Sequence, residues 1–336
     1  MKRTQSRRKF LGAAALGLAS TQMSFTGAFA SLRVGPAPLT PLGPIKQINA
    51  GPLNVGYVDS GPADGPVVIL LHGWPYDIYS YADVVPLLTA KGYRVIVPWL
   101  RGYGTTRFLD ANTIRNGQQS AFAADTLALM DALSIKKAVI GGFDWGARGA
   151  DIMALLWPDR VKGIVSVSGY LVVNLEANQQ PLPPRAELGW WYQYYFATER
   201  GRVGYDRNRH DFNKLIWKLA SPKWDFDDAT YERTAAAFDN PDHVAIVIHN
   251  YRWRLSLAPG EPQYDEHERT LATGPAITVP AITIGSDFDG ANVDGTAYAR
   301  KFTGKYEHRI LNGIGHNVPQ EAPQAFAQAI IDVDKF

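Results

Sequence analysis

Residues 53–59 alternate apolar and polar side chains in strand fashion and run into the turn Ser60-Gly61-Pro62. The run 67–71 is apolar throughout, the pattern of a strand covered on both faces. Residues 79–90, closed by Gly92, predict a helix, 94–97 a strand, 120–133 a helix and 137–140 a strand. Two glycines stop that last strand. From Trp145 to Trp157 apolar residues then recur at helical spacing until Pro158, and 161–167 is strand-like again. This alternation argues a mostly parallel sheet with helices on both faces. The rhythm breaks over 172–262, where no strand is evident and Trp- and Tyr-rich helical segments take over. One of these is marked by Asn240 as N-cap and Pro241 at the first helical position, with an apolar face of Val244, Val247, Ile248, Tyr251 and Leu255. Strands at 281–284 and 306–311 and a helix from about Pro323 resume the pattern. The predicted organisation is therefore an α/β core of 31–171 and 263–336, with 172–262 inserted as a helical cap over the sheet's active edge.

The first thirty residues stand apart. Ser6-Arg7-Arg8-Lys9-Phe10-Leu11 reads as a twin-arginine export signal, followed by a short apolar stretch and the small-residue cleavage site Ala28-Phe29-Ala30. The apolar stretch is too short to span a bilayer. The expected location is periplasmic or secreted, with no membrane attachment once the signal is cleaved. Without its five basic residues the chain carries 29 basic against 32 acidic side chains, −3 rather than the +2 of the whole. Nothing in that balance points to a nucleic-acid partner. With no cysteine, disulfides and thiolate catalysis are excluded.

In an open parallel sheet, active groups gather beyond the carboxyl ends of the strands. Here those ends lead into His72-Gly73-Trp74-Pro75, into Asp144, into Asp287 and Asp289, and into His316. Gly142-x-Asp144-x-Gly146, between strand and helix, is the frame of a nucleophile elbow with Asp in the usual place of Ser. The order nucleophile, acid, histidine is that of an α/β-hydrolase. A carboxylate attacking an sp³ carbon leaves an ester that water can cleave, whereas a serine would leave a dead-end ether. Asp144 therefore points to epoxides or carbon–halogen bonds. The remaining histidines show no metal-ligand spacing, no nucleotide-binding loop is evident, and no cofactor or metal is implied.

At these residues the chain resembles the epoxide hydrolases of the α/β-hydrolase fold, over nearly all of the sequence after the signal. His72-Gly73-Trp74-Pro75, Arg101-Gly102-Tyr103-Gly104 and Gly315-His316-x-x-x-Gln320-Glu321-x-Pro323 are each similar to a motif of that family. The resemblance implies a cis Trp74–Pro75 bond and an oxyanion hole built from the N–H groups of Trp74 and Trp145. Trp191-Tyr192-Gln193-Tyr194-Tyr195-Phe196 is similar to the stretch bearing one ring-opening tyrosine, which falls on Tyr192 with Tyr194 and Tyr195 as competitors. It also makes Gln193 a substrate-binding candidate. Asn250-Tyr251-Arg252 resembles the surroundings of the second tyrosine. A phenol suits the role, because the epoxide oxygen leaves as a strongly basic alkoxide that needs a proton donor. For the acid orienting His316, Asp287 fits the family's Asp-Phe spacing, and Asp289 is the alternative. Phe143 and Ala147 depart from the family's His and second Gly.

The expected activity is hydrolysis of a small apolar epoxide to a vicinal diol through a covalent Asp144 ester. The alternatives are a haloalkane dehalogenase, which shares the nucleophile and Trp145 but needs a second halide donor, and a non-catalytic ligand receptor on the same fold. Oligomeric state is not legible in the sequence.

Overall fold

A computed structural model of the chain describes residues 39–336; the expected export signal lies outside them. The sheet is built from β1 (Lys46–Ala50), β2 (Leu53–Ser60), β3 (Val67–Leu71), β4 (Arg94–Pro98), β5 (Arg107–Phe108), β6 (Ala138–Gly142), β7 (Val161–Val167), β8 (Ala281–Ser286) and β9 (Tyr306–Leu311). Its order is β1-β2-β4-β3-β6-β7-β8-β9, with β5 paired to β2. The β1–β2, β2–β4 and β2–β5 pairs are antiparallel and all others parallel, so β3, β6, β8 and β9 end at the same edge.

Outside the segment between β7 and β8, the described residues form the core helices α1 (Val84–Thr89), α2 (Gln119–Ala132) and α3 (Trp145–Leu156), and, after β9, α10 (Val318–Glu321) and α11 (Pro323–Val333). Gly141 faces Ile330 of α11 and its neighbour Gly142 faces Gly146 of α3. Successive strand residues point to opposite faces, so α11 and α3 cover opposite sides of the sheet. That double cover is why β3 and β6 are apolar at every position.

Between β7 and β8 the chain forms the cap helices α4 (Pro184–Gly189), α5 (Trp191–Ala197), α6 (Glu199–Ala220), α7 (Asp228–Ala235) and α8 (His243–Arg254), and then α9 (Asp265–Ala272), whose Glu268 accepts from Gln119 and Ser120 of the core. Buried hydrogen bonds fasten this cap to the loop after β3: the Trp217 indole donates to Pro75 O (2.7 Å), Trp74 to the Tyr205 hydroxyl (3.0 Å), and Thr234 to Asp77 (2.8 Å). Below them Arg101 is fully buried and forks onto Asp125 at 2.6 and 2.7 Å while holding Asn116 O. A paired, hydrogen-bonded guanidinium tolerates such burial, and here it braces the loop after β4.

Two local readings are corrected. The helix expected over 79–90 is a 3-10 turn, Ile78–Tyr81, followed by α1. Pro86 explains the break, since a continuous helix would need its missing N–H, whereas near the start of a new helix that N–H is dispensable. Asn240 is not the cap of α8, which starts at His243; its side chain instead accepts from Asp242 N and donates to Thr106 O. The edge strands β1 and β5 carry no apolar alternation, and β1 is mostly exposed.

Candidate active site

Asp144 sits between β6 and α3 at φ 52° and ψ −121°, a region that L residues rarely occupy. The turn closes so tightly that a Cβ at Gly146 would lie 1.8 Å from Leu71 O, so only glycine fits there. The strained turn lifts the carboxylate above the sheet edge. Trp74 N donates to Asp144 Oδ1 at 2.7 Å, and His316 Nε2 lies 3.6 Å from Oδ2. Burial opposes ionisation of Asp144, but the neighbouring His316, the charge of Arg148 and the Trp74 N–H together outweigh it and hold the carboxyl below its usual range. Asp144 is thus an anion beside a histidine, as a nucleophile requires.

The loop after β3 brings the Trp74 N–H to this carboxylate. A Cβ at Gly73 would meet the Asp144 Cβ at 2.4 Å, which accounts for the glycine. The Trp74–Pro75 bond is cis. His72 takes no part in the chemistry: buried completely, it accepts from Leu100 N through Nε2, and burial lowers its pKa to about 4. It is a neutral brace for the loop. Trp145 is the first residue of α3, where the helix leaves its opening N–H groups without intrahelical partners.

His316 is 6 % exposed, with the Phe288 ring 4.1 Å away. Its loop is held by two residues to which the sequence reading assigned no role. Glu321 accepts from Gly315 N (2.7 Å), Asn317 N (3.1 Å) and the Ser221 hydroxyl (2.6 Å). Ser221, from the C-terminal end of α6, in turn accepts from His316 N at 2.9 Å. Glu321 was visible only as a letter in the histidine motif, and Ser221 gave no sequence signal.

The expected acid is not brought to the histidine. Asp287 is exposed; its carboxylate accepts from Lys223 at 2.5 Å and from Gly313 N at 3.0 Å, and these partners hold its pKa low. Asp289, half-buried in the same 3-10 turn Asp287–Asn292, accepts from Ser286 N at 2.8 Å. Burial raises its pKa while the charge of His316 acts to lower it, so of this pair Asp289 is the carboxylate on which His316 acts. His316 Nδ1 is buried and has no hydrogen-bond partner among the described residues.

Over the carboxylate, the cap brings Tyr192 of α5 and Tyr251 of α8 ring to ring at 5.3 Å, each about 5 Å from the Trp74 ring (5.0 and 5.2 Å). Burial raises both phenols, and the Asp144 charge adds to the shift in each. They are therefore protonated and within the electrostatic reach of the nucleophile. Tyr194 points away, 48 % exposed and bonded to Glu187, and Tyr195 lies against Gly204 and stacks on Phe212. Gln193 is buried beside Tyr192 on α5.

An Asp elbow at the edge of a mostly parallel sheet, faced by a late histidine and roofed by a helical cap, defines an α/β-hydrolase. The family description "alpha/beta hydrolase fold" matches residues 66–204. Epoxide hydrolase B of Mycobacterium tuberculosis is 33 % identical, over 85 % of this chain and 96 % of its own length. The crystal structure of a candidate epoxide hydrolase from Klebsiella pneumoniae superposes with a TM-score of 0.85 at 62 % identity, covering 87 % of this chain and 97 % of that one. A haloalkane dehalogenase of Mycobacterium marinum is 33 % identical over 60 % of this chain and 67 % of its own. The chain belongs to the epoxide hydrolase family of the α/β-hydrolase fold, to which the haloalkane dehalogenases are also related.

Proposed function

We propose that the protein hydrolyses a small epoxide to a vicinal diol through an ester on Asp144. An Asp144 oxygen attacks one epoxide carbon as the ring C–O bond breaks, and the freed oxygen takes a proton from Tyr192 or Tyr251. His316 then removes a proton from water, whose oxygen adds to the Asp144 carbonyl carbon. The oxyanion that forms is met by the Trp74 N–H, with that of Trp145 as the second donor. Collapse expels the diol oxygen, which takes the proton left on the added hydroxyl and frees the carboxylate; His316 then returns its proton to the tyrosinate, so the net change is addition of one water. The observation that carries this reading is the pair of protonated phenols gathered over an ionised Asp144.

The same arrangement favours epoxides over haloalkanes. The Trp145 indole N–H is buried and unpaired and could receive a halide. A second indole donor is not at hand, because Trp74 Nε1 is committed to the Tyr205 hydroxyl.

In this mechanism Asp289 orients His316, and Asp287 does not. Diol release from styrene oxide tests both function and assignment. Asp289→Asn is expected to lower kcat by ~10²–10⁴-fold, in the range seen when a triad acid is neutralised. Asp287→Asn is expected to stay within about threefold of the parent, as for an exposed ion pair that contributes little. The reverse order would return the role to Asp287, and halide release without diol from any epoxide-free alkyl halide would move the site to the dehalogenases.

We also propose that the enzyme acts outside the cytoplasm. Support comes from Arg7-Arg8 and the Ala28-Phe29-Ala30 site. N-terminal sequencing of protein from a host with twin-arginine export is expected to begin near Ser31. An intact Met1 product confined to the cytoplasm would refute this.

A further inference from the structure

Two arginines flank the site and have no part in the chemistry so far. Arg148 lies one helical turn beyond Asp144 on the same face of α3, and Arg254 stands three residues beyond Tyr251 on the same face of α8. Core and cap thus each place a guanidinium next to one of the reacting groups. Arg148 is 6 % exposed; its Nε donates to Leu171 O at 2.9 Å, while Nη1 is buried without a partner. Arg254 is half-buried over the Tyr251 and Trp190 rings (5.6 and 5.7 Å), and its Nε is likewise unpaired.

Neither arginine forms an ion pair among the described residues. This sets them apart from Arg101, locked to Asp125, and from Arg115 and Arg202, which line an open groove of about 430 Å³ on the cap and are paired with Asp242 and Glu199. Burial, and after it the charge of Arg254, lowers the Arg148 pKa to about 10, so the two guanidiniums feel one another. Two carboxylates act in the other direction, Asp144 and Asp151, and burial raises the Asp151 pKa to about 8. At neutral pH Asp151 is thus mostly uncharged, which leaves Asp144 as the ionised carboxylate of this pair facing Arg148, while Arg254 acts on Arg148. Both guanidiniums also act on the Tyr192 and Tyr251 hydroxyls.

Buried unpaired N–H groups on like-charged side chains are costly, and a guanidinium is matched in shape to a carboxylate. An anionic substrate would otherwise be repelled by Asp144, and one cation beside the nucleophile with a second beside the phenols offsets that repulsion. We propose that the substrate is an epoxide bearing an ionised carboxylate, received by Arg148 and Arg254 while the aromatic wall of Trp74, Phe196 and Trp190 holds its hydrocarbon part. The inference rests on the epoxide hydrolase reading and replaces the expectation of a purely apolar substrate.

The test compares 3-phenylglycidate with its methyl ester, which has the same epoxide and no charge. The acid is expected to be turned over with the higher kcat/KM. Arg148→Gln and Arg254→Gln are each expected to lower the acid-to-ester ratio of kcat/KM by ~10–100-fold, the loss that follows from one charge-assisted hydrogen bond. The ratio cancels any difference in folded fraction, and Arg254→Gln, at a half-buried cap position, serves if the buried Arg148 variant fails to fold. An ester turned over as well as the acid, or a ratio unmoved in both variants, would overturn the proposal and leave the hydrolase reading standing. If neither compound is hydrolysed, the hydrolase reading falls. Calorimetry with 3-phenylpropanoate, a carboxylate without an epoxide, then decides the anion site alone: binding that is lost in Arg254→Gln upholds it, and no binding overturns it.

Discussion

Asp144→Ala is expected to lose epoxide turnover by at least ~10⁴-fold, because removing a covalent nucleophile takes away the whole two-step route. Alanine keeps the Cβ in the strained turn, so Gly73 and Gly146 retain their close approaches and the fold should survive. What disappears is the carboxylate that Trp74 N–H and His316 share. Near-UV circular dichroism matching the parent, with diol formation at background, is the expected pair of results. Substantial residual turnover by a folded Asp144→Ala protein would mean that water attacks the epoxide directly.

The next largest loss is expected from the cap. Tyr192→Phe and Tyr251→Phe should each slow ring opening, and the double variant should lose roughly the ~10²–10⁴-fold attributed to a positioned general acid. The two rings touch, so one phenol can cover for the other, and the single losses should be smaller than the double. Phenylalanine preserves the packing against Trp74 and Phe196, so the deficit belongs to the hydroxyls. Rapid-quench measurement of the first turnover reports ring opening before any ester hydrolysis. A double variant that opens the ring at the parental rate would remove both tyrosines from the mechanism.

The elbow and the four strand ends were legible because local physics writes them into the chain. A strand covered on both faces must be apolar throughout, as Val67–Leu71 is, and a turn in which a Cβ would strike Leu71 O must carry Gly146. The choice between Asp287 and Asp289 was not legible. The two are two residues apart in one short 3-10 turn, and which of them turns inward is decided by Lys223 and Gly313, which draw Asp287 outward. Ser221 escaped notice for a similar reason: it reaches His316 across 95 residues, and nothing in its own neighbourhood marks it. β1 was not anticipated, because an exposed edge strand has no core face to impose alternation. Arg148 and Arg254 gave no signal as letters either, since an arginine without an ionic partner can be recognised only once its surroundings are known.

The central claim is the covalent ester on Asp144, and His316→Gln isolates it. Without the base that activates water, attack by Asp144 should still occur and the ester should accumulate. An epoxide opens without losing an atom, so the intact-protein mass of His316→Gln treated with styrene oxide or 3-phenylglycidate should rise by the full mass of the epoxide. Peptide mapping should place the increment on the segment containing Asp144, and the His316→Gln, Asp144→Ala double variant should show none. An unmodified mass for both epoxides, or an increment that maps away from Asp144, would contradict the account; an increment from an alkyl halide equal to its mass less hydrogen halide would assign the nucleophile to dehalogenation instead.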